Sequence, residues 1–498
     1  MIEETEQIRV SFDSGGVGLV GHLHCPTDAT GKVPCVVMGH GFSGTQDRLF
    51  AGAERFAAAG MAALTFDDRN FGELTRTKVV NEMAEQRHEP QVSIENAEIL
   101  VSGAGVAGPV LAYWLKRYGF DPTVVERAPE IRKAGGHAVD LWGSAVDVVE
   151  WMGILPEVEA ARTRNDASSL IRLGKPPIDV DVGELAVEFS DRAVEIPRDE
   201  LTRLLYRPTS NDVEYIFGDS LAALEEDADG VWVTFQHSAP RRFDLVVGAD
   251  GLHSRVRRLA FGTEERFRRY LGGYIAVYTV PNFLGLDGRI LTYSAVDRTV
   301  VVYPVWQSGD ARALFMFRRA EEIDYDHHDV EQQKRLLRGA YAAGGWEVPR
   351  LLEYLEDTEA FYFDSISQIR MDAFSRGRVA LVGDAGYAPG AGVGGGTSLA
   401  VVAAYALARE LAAAGGDHAA GFRNYEDVIR DTIARSRAIG PALLKTLIPT
   451  SRAQIWLGMQ VARLLPRLPK RLKRSVSLFP REAIQGMRSI ASLPLEDD

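Results

Sequence analysis

At 498 residues the chain is too long for a single hydrophobic core, so two to four domains are expected. Hydrophobic residues at 46%, charged residues at 25% and a mean hydropathy of −0.10 exclude a disordered or fibrous protein. A net charge of −13 argues against a nucleic-acid partner, and two cysteines are too few for a disulfide framework. The acidic start MIEETEQIRV and the lack of an apolar run of roughly 18 residues predict a cytoplasmic protein without a transmembrane segment.

In chain order, IRVSF, VGLVGHLHC, CVVMG and AALTF read as strands, with a helix around 48–59 between the last two. Two meandering strands followed by a βαβ unit are thus expected over 1–90. A charged, aperiodic stretch at 75–95 predicts a boundary, with 91–96 as linker. At Ala97 a new βαβ start begins: strand AEILVSG, a helix with apolar Val110, Leu111, Trp114 and Leu115, and a strand over 122–126. Later segments are β-branched strands (VWVTF, DLVVGAD, IAVYTV, RTVVVYP, ALFMF) with few helices until SLAVVAAYALARELAAA. A mainly antiparallel layer is expected over 265–371, with part of 165–190, and helices over 421–498. The tail from about 445 to 490 is basic and apolar (Arg463, Arg467, Lys470, Arg471, Lys473, Arg474). It reads as a membrane-surface helix or as packed helices, and the prolines at 466, 469 and 480 favour packing.

Three glycine motifs carry the chemistry. Gly103-Ala104-Gly105-Val106-Ala107-Gly108 stands between strand and helix, where dinucleotide binding needs a tight turn and a close backbone approach to pyrophosphate. Glu126 follows about 20 residues on, at a strand end suited to a ribose hydroxyl. Asp250-Gly251-Leu252-His253-Ser254-Arg255 places an acid on a turn after an apolar strand. Gly383-Asp384-Ala385 does the same and runs through Pro389 to Gly392-Val393-Gly394-Gly395-Gly396-Thr397 before the long helix.

With these motifs in this order, residues 97–420 resemble the class A FAD-dependent monooxygenases, the aromatic hydroxylase family that includes tetracycline-inactivating and polyketide-tailoring members. Arg198 in IPRDELTRLL and the loop GGHAVDLWG at 135–143 match as well. The resemblance implies an α/β fold: a three-layer Rossmann-like FAD-binding domain (97–264 and 372–420), an antiparallel substrate sheet and C-terminal helices packed across the two. It implies that Gly103, Gly105, Val106, Ala107 and Gly108 cradle the FAD pyrophosphate. Glu126 would hold the adenosine ribose, and Arg127 would lie near the adenine. Gly136 and His137 would lie beside the flavin, Arg198 would contact it, and Asp384 would bond the flavin-side ribose. Pro389, Gly394, Gly395, Gly396 and Thr397 would surround the isoalloxazine, turning N–H groups toward it. Asp250 is read either as a cofactor contact or as a turn cap beside Ser254 and Arg255.

The implied reaction is hydroxylation of an aromatic or polyketide-like small molecule through a C4a-hydroperoxyflavin, with NAD(P)H as transient reductant and O₂ as co-substrate. Alternatives are a flavin oxidoreductase without oxygen insertion and a catalytically silent flavin-binding protein. No catalytic base and no metal ligand is assigned, since a lone His137 reads as a structural hydrogen-bonder. The chain departs from the family where Gly386 and Tyr387 follow Asp384-Ala385 in place of an Ala-His pair. Tyr274, Tyr278, Tyr293, Tyr303, Trp306, Phe315 and Phe317 alternate along strands, so half are expected to face inward, as core or as pocket lining.

Residues 1–90 resemble the opening of an α/β-hydrolase (VSFDSGGVGLVGHLHCP, VVMGHGFSGTQDR, AALTFDDRNFGEL), with His40-Gly41-Phe42 at the oxyanion loop. The G-x-S-x-G elbow is absent: Ser43 has Gly41 two before it but Thr45 two after. A truncated, catalytically empty unit is expected. Its strand at 34–39 would have one edge free to pair with a second copy, or to be covered by the linker or C-terminal helices.

Overall fold

The computed structural model describes residues 6–13, 18–25, 33–39, 53, 55–57, 61–66, 96–131, 137–181, 190, 192–306, 308–358, 360–390, 395–464, 481–493 and 495. The chain divides into two compact units, Met1–Pro90 and Gln91–Asp498. In the first, β1 (Glu6–Asp13) and β2 (Gly18–Cys25) form an antiparallel pair, and β3 (Cys35–Gly39) lies parallel to β4 (Ala62–Phe66). The sheet order is β1-β2-β4-β3, so among the described residues β3 pairs with β4 alone. Residues 53 and 55–57 of the expected helix are helical. His40, Gly41, Phe42, Ser43 and the stretch 75–95 lie outside the described residues.

In the second unit, β5 (Glu98–Ser102) leads through the glycine turn into α1 (Ala107–Arg117), and β6 (Asp121–Glu126) returns beside it. The apolar stripe Val110, Leu111, Trp114 and Leu115 is buried, each side chain contributing about 1.5–3 kcal/mol. β7 (Ala138–Trp142) precedes α2 (Ser144–Trp151) and α3 (Leu155–Ala160). β8 (Ala167–Arg172) and β9 (Lys175–Asp181) form a hairpin, and β10 (Ala193–Pro197) pairs antiparallel with β7 before α4 (Arg198–Tyr206). Next come β11 (Glu214–Phe217), β12 (Leu221–Glu226), β13 (Val231–Phe235), β14 (Arg241–Phe243), β15 (Leu245–Gly248) and α5 (Arg255–Ala260). β13 alternates as its sequence demands: Val231, Val233 and Phe235 are buried while Trp232 and Thr234 face solvent.

β16 (Arg268–Pro281), β17 (Arg289–Ala295), β18 (Arg298–Pro304) and β19 (Asp310–Arg318) precede two helices, α6 (Val330–Tyr341) and α7 (Val348–Glu353). The expectation of a mainly antiparallel layer with few helices singles out neither of them. Asp329 caps α6 by accepting the Gln332 N–H, and its apolar side covers the sheet. β20 (Phe361–Ile369), β21 (Ser375–Arg376), β22 (Val379–Leu381) and the short α8 (Asp384–Tyr387) follow. The chain ends in α9 (Gly396–Ala413), α10 (His418–Leu447), α11 (Arg452–Leu464) and α12 (Arg481–Ala491).

Among the described residues, besides the two-stranded β10-β7 ribbon, three sheets organise this unit: a largely parallel one, β11-β6-β5-β15-β22-β21, a small antiparallel one, β12-β13-β14, and a seven-stranded one, β20-β16-β19-β18-β17-β8-β9. The last is antiparallel except where β17 meets β8. Its two faces differ. Tyr274, Tyr278, Phe315 and Phe317 point to the side covered by α6 and α7, whereas Ile275, Val277, Met316 and Ile366 join the core shared with the parallel sheet. Four of the seven aromatic residues considered for pocket lining are therefore core on the far face. Trp306 is exposed under the Arg164 guanidinium, and Tyr293 packs on Trp346.

The Ala-rich α9 is buried nearly all round because small side chains let α1 and α10 approach closely. α10 contains Pro441, which has no N–H to give the carbonyl of Arg437. The buried Gln368 amide on β20 donates to that carbonyl at 2.6 Å and to the carbonyl of Pro389 at 3.0 Å. α12 packs on α10, and Ser144 donates to the carbonyls of Ala491 and Leu493. Of the basic tail, 465–480 lie outside the described residues. Among those described, no helix is long and apolar enough to cross a membrane.

Candidate functional site

The three glycine motifs meet at the C-terminal ends of β5, β15 and β22. Gly103 has φ 107°, and a Cβ there would stand 2.6 Å from the carbonyl oxygen of Ala249. At Gly108 a Cβ would meet the carbonyl oxygen of Gly103 at 1.9 Å, so only glycine lets α1 start this close to the turn. Gly105 differs: its Cβ would meet nothing within 4 Å. No side chain caps α1 and no acid occupies its first turn, which leaves the N-terminal N–H groups, with Val106 and Ala107 among them, for an anion. This cradle fits a dinucleotide pyrophosphate. Glu126 is fixed at its rim, accepting the N–H of Ala104 at 2.7 Å and of Ala128 at 2.9 Å. Arg127 lies outside it on the surface, 3.3 Å from His328 Nε2.

Asp250 accepts from the Ser254 hydroxyl (2.5 Å), the N–H groups of Arg255 (2.7 Å) and Val256 (3.0 Å), and the Ser102 hydroxyl (3.5 Å). Both oxygens accept bonds within the protein, the contacts expected of the turn cap. From the same motif, and unremarked in sequence, comes Arg257. Its fully buried guanidinium donates to the carbonyls of Ala385 (2.8 Å) and Leu252 (2.6 Å), tying the second motif to the third.

Asp384 begins α8 after Gly383, which has φ 67°. Burial raises its pKa, and the Arg198 guanidinium opposes that rise, so Arg198 at the start of α4 is within electrostatic reach. A Cβ on Gly396 would stand 3.7 Å from Asp384 Oδ1 and 3.5 Å from Pro389, which closes the same corner. Thr397 is half-buried beside it. Gly136 and Gly394 lie outside the described residues. The His137 carbonyl accepts the Arg198 N–H at 3.0 Å, and its ring lies 6.0 Å from that of Tyr362 on the sheet. Ser398, which sequence reasoning passed over, accepts the Trp142 N–H (3.0 Å) and donates to the Asp140 carbonyl (2.8 Å), fastening β7 to α9.

Tyr387, at the family departure, points away from this corner: its hydroxyl pairs with that of Tyr425 at 2.7 Å in the core. Asp140 lies directly across from Glu195 on the β7–β10 ribbon. Burial, and secondarily the Glu195 charge, push the Asp140 carboxyl up to about 7. Glu195 is held by the Thr163 hydroxyl and by the Asn165 amide at 3.3 Å. The Tyr303 hydroxyl accepts the Ala138 N–H at 3.1 Å, joining this ribbon to β18.

On the cofactor side of the seven-stranded sheet, strand register aligns Tyr362, Val277, Leu314, Val301, Thr292 and Leu170 in one row. All but Val277 are half-buried. Beside them runs a polar row, Tyr303, Arg312 and Thr279, in which Arg312 donates to the Thr279 hydroxyl at 2.7 Å.

Residues 96–427 match the family model for the FAD binding domain. The chain is 45% identical to an uncharacterised protein of Mycobacterium tuberculosis over 342 residues, 68% of this chain and 91% of that one. It is 38% identical to a flavin-dependent monooxygenase of Legionella longbeachae, covering 70% of this chain and 88% of that one. The solved structure of tetracycline destructase Tet(55) superposes with a TM-score of 0.65 at 36% identity, over 74% of this chain and 97% of that one. The match over two thirds of the sequence and the glycine cradle agree: this chain belongs to the FAD-binding family of flavin-dependent monooxygenases.

Proposed function

We propose that this FAD-dependent monooxygenase consumes NAD(P)H and O₂ to hydroxylate an aromatic or polyketide-like small molecule held between the flavin and the seven-stranded sheet. The carrying observation is the row Tyr362, Leu314, Val301, Thr292 and Leu170, half-buried in the middle of a sheet whose opposite face is closed by α6 and α7. An apolar row flanked by a polar one suits a flat ligand with a few oxygen substituents. The tetracycline destructase likeness supports the same substrate class.

FAD, when bound, supplies the redox chemistry that activates oxygen. The chain's residues orient and shield. In this reading Gly103, Gly105, Val106, Ala107 and Gly108 hold the pyrophosphate, Glu126 the adenosine ribose and Asp384 the flavin-side ribose. Arg198, His137, Pro389, Gly395, Gly396 and Thr397 line the ring end. The sheet face excludes water from above it. The test is turnover in labelled O₂: one oxygen atom should be recovered in product, with NAD(P)H oxidation stimulated by an aromatic substrate. Stimulation without label in the product would instead mark a flavin oxidoreductase.

The first unit reads as a catalytically empty piece of an α/β-hydrolase, a reading supported by the order β1-β2-β4-β3 with β3 parallel to β4. Deleting residues 1–90 should leave flavin binding and stimulated oxidation intact. Ester hydrolysis lost on Ser43→Ala would contradict it.

A further inference from the structure

We propose that His253, His327 and Asp364 bind one divalent transition-metal ion of the zinc class, at a site outside the flavin cradle and independent of the substrate reading. The three side chains come from separate elements: the turn before α5, the connection between β19 and α6, and β20. Their donor atoms all lie within 4.8 Å of one another. His253 Nε2 and Asp364 Oδ2 are 3.1 Å apart. That is close to the roughly 3.3 Å edge of a tetrahedron with metal–ligand bonds of about 2.0–2.1 Å.

The surroundings are those of a ligating set. His253 Nδ1 meets Glu264 Oε1 at 3.0 Å, the carboxylate–histidine arrangement that fixes a ring so that its other nitrogen faces an ion. Glu264 is itself anchored by Arg257 at 3.1 Å and Arg268 at 3.4 Å. On Asp364, Oδ1 accepts the Tyr325 hydroxyl (3.2 Å) and the Ser365 N–H (2.7 Å), which leaves Oδ2 for the ion. A metal-free ion pair among Glu264, His253 and Asp364 would account for those contacts but gives His327 no part. Its ring stands 3.9 Å from that of His253 and takes no hydrogen bond among the described residues. Two imidazoles this close can each turn one ring nitrogen toward a shared cation. His327 is exposed, which opens an entry path, and a two-nitrogen, one-oxygen set suits Zn²⁺ or Co²⁺ and leaves a position for solvent.

The experiment is titration of the chelator-stripped, flavin-loaded full chain with Zn²⁺ in competition with a chromophoric chelator, and separately with Co²⁺ read by visible absorption. One equivalent should bind. His327→Ala and Asp364→Asn should each weaken binding by at least about a hundredfold and remove the Co²⁺ bands. Glu264→Gln should weaken it about tenfold. His328→Ala, at the neighbouring exposed histidine, should change nothing, and the flavin spectrum reports folding of each variant. Absence of stoichiometric binding, or binding undiminished in His327→Ala, overturns the proposal; His327 is a surface residue whose removal leaves the core untouched.

Discussion

In the cofactor half of the second unit, the groups assigned to the cofactor lie a few residues apart: Gly103 to Gly108 form one turn, and Asp384 and Pro389 lie close together in sequence. On the seven-stranded sheet, Tyr362, Val277, Leu314, Val301 and Thr292 come from five strands and meet only through register. The first arrangement is made of backbone and tolerates almost no side chain. The second is made of side chains on a fixed backbone. A change in the cradle should therefore remove the cofactor outright, whereas a change on the sheet should alter what the cofactor acts on.

The largest effect is expected at Gly108. Gly108→Val drives carbon into the Gly103 carbonyl and should give protein without flavin, read from the absorbance of purified material. Gly105→Val should fold as well as the parent, since its Cβ meets open space, yet also lose flavin, because the proposed cradle gives that space to the pyrophosphate. Full flavin occupancy in Gly105→Val would break the comparison at its root.

Adjacent residues on β19 sharpen it next. Phe315→Ala, on the face under α6 and α7, should cost about 3–5 kcal/mol in denaturant unfolding. Leu314→Ala, one residue away and half-buried on the opposite face, should cost far less stability but raise KM for the stimulating substrate about tenfold, with flavin content unchanged. Equal stability losses with an unchanged KM would mean that the row binds nothing. Smaller still is Gln368→Leu. Depriving the Arg437 and Pro389 carbonyls of their donor should cost about 1–3 kcal/mol, measured by the same unfolding.

The last effect is a slope against pH. The Asp140 carboxyl is raised in the folded chain to about 7, above its unfolded value, so the native state binds the extra proton between the two. Stability from this group falls as pH rises toward the folded value, and the penalty is complete above it. Asp140→Asn should flatten the dependence of Tm between about pH 5 and about pH 8. An identical slope in the variant would assign the titration elsewhere.

How legible each half was follows from the same difference. The strand–glycine–helix start and the buried helix α9 could be read directly, because their determinants are local. Arg257, Ser398 and Gln368 escape a local reading: Arg257 bonds a carbonyl 128 residues away, Ser398 bonds backbone groups 256 and 258 residues away, and Gln368 bonds carbonyls 21 and 69 residues away, separations that no local pattern encodes. The aromatic run on the sheet illustrates the limit most plainly. Alternation placed half the residues on each face but could not say which face α6 and α7 would close. Those helices were themselves obscured by a charged, weakly apolar stretch.

Gly143, directly after β7, has φ 46°, and a Cβ there would stand 1.9 Å from the carbonyl oxygen of Ala491. The turn after β7 is thus shaped around α12, and Ile490 also reaches within 2.8 Å of a Cβ built on Gly395. Gly143 and Gly395 both close against α12, so these two turns settle only once that helix has docked, and loosening α12 should loosen both together.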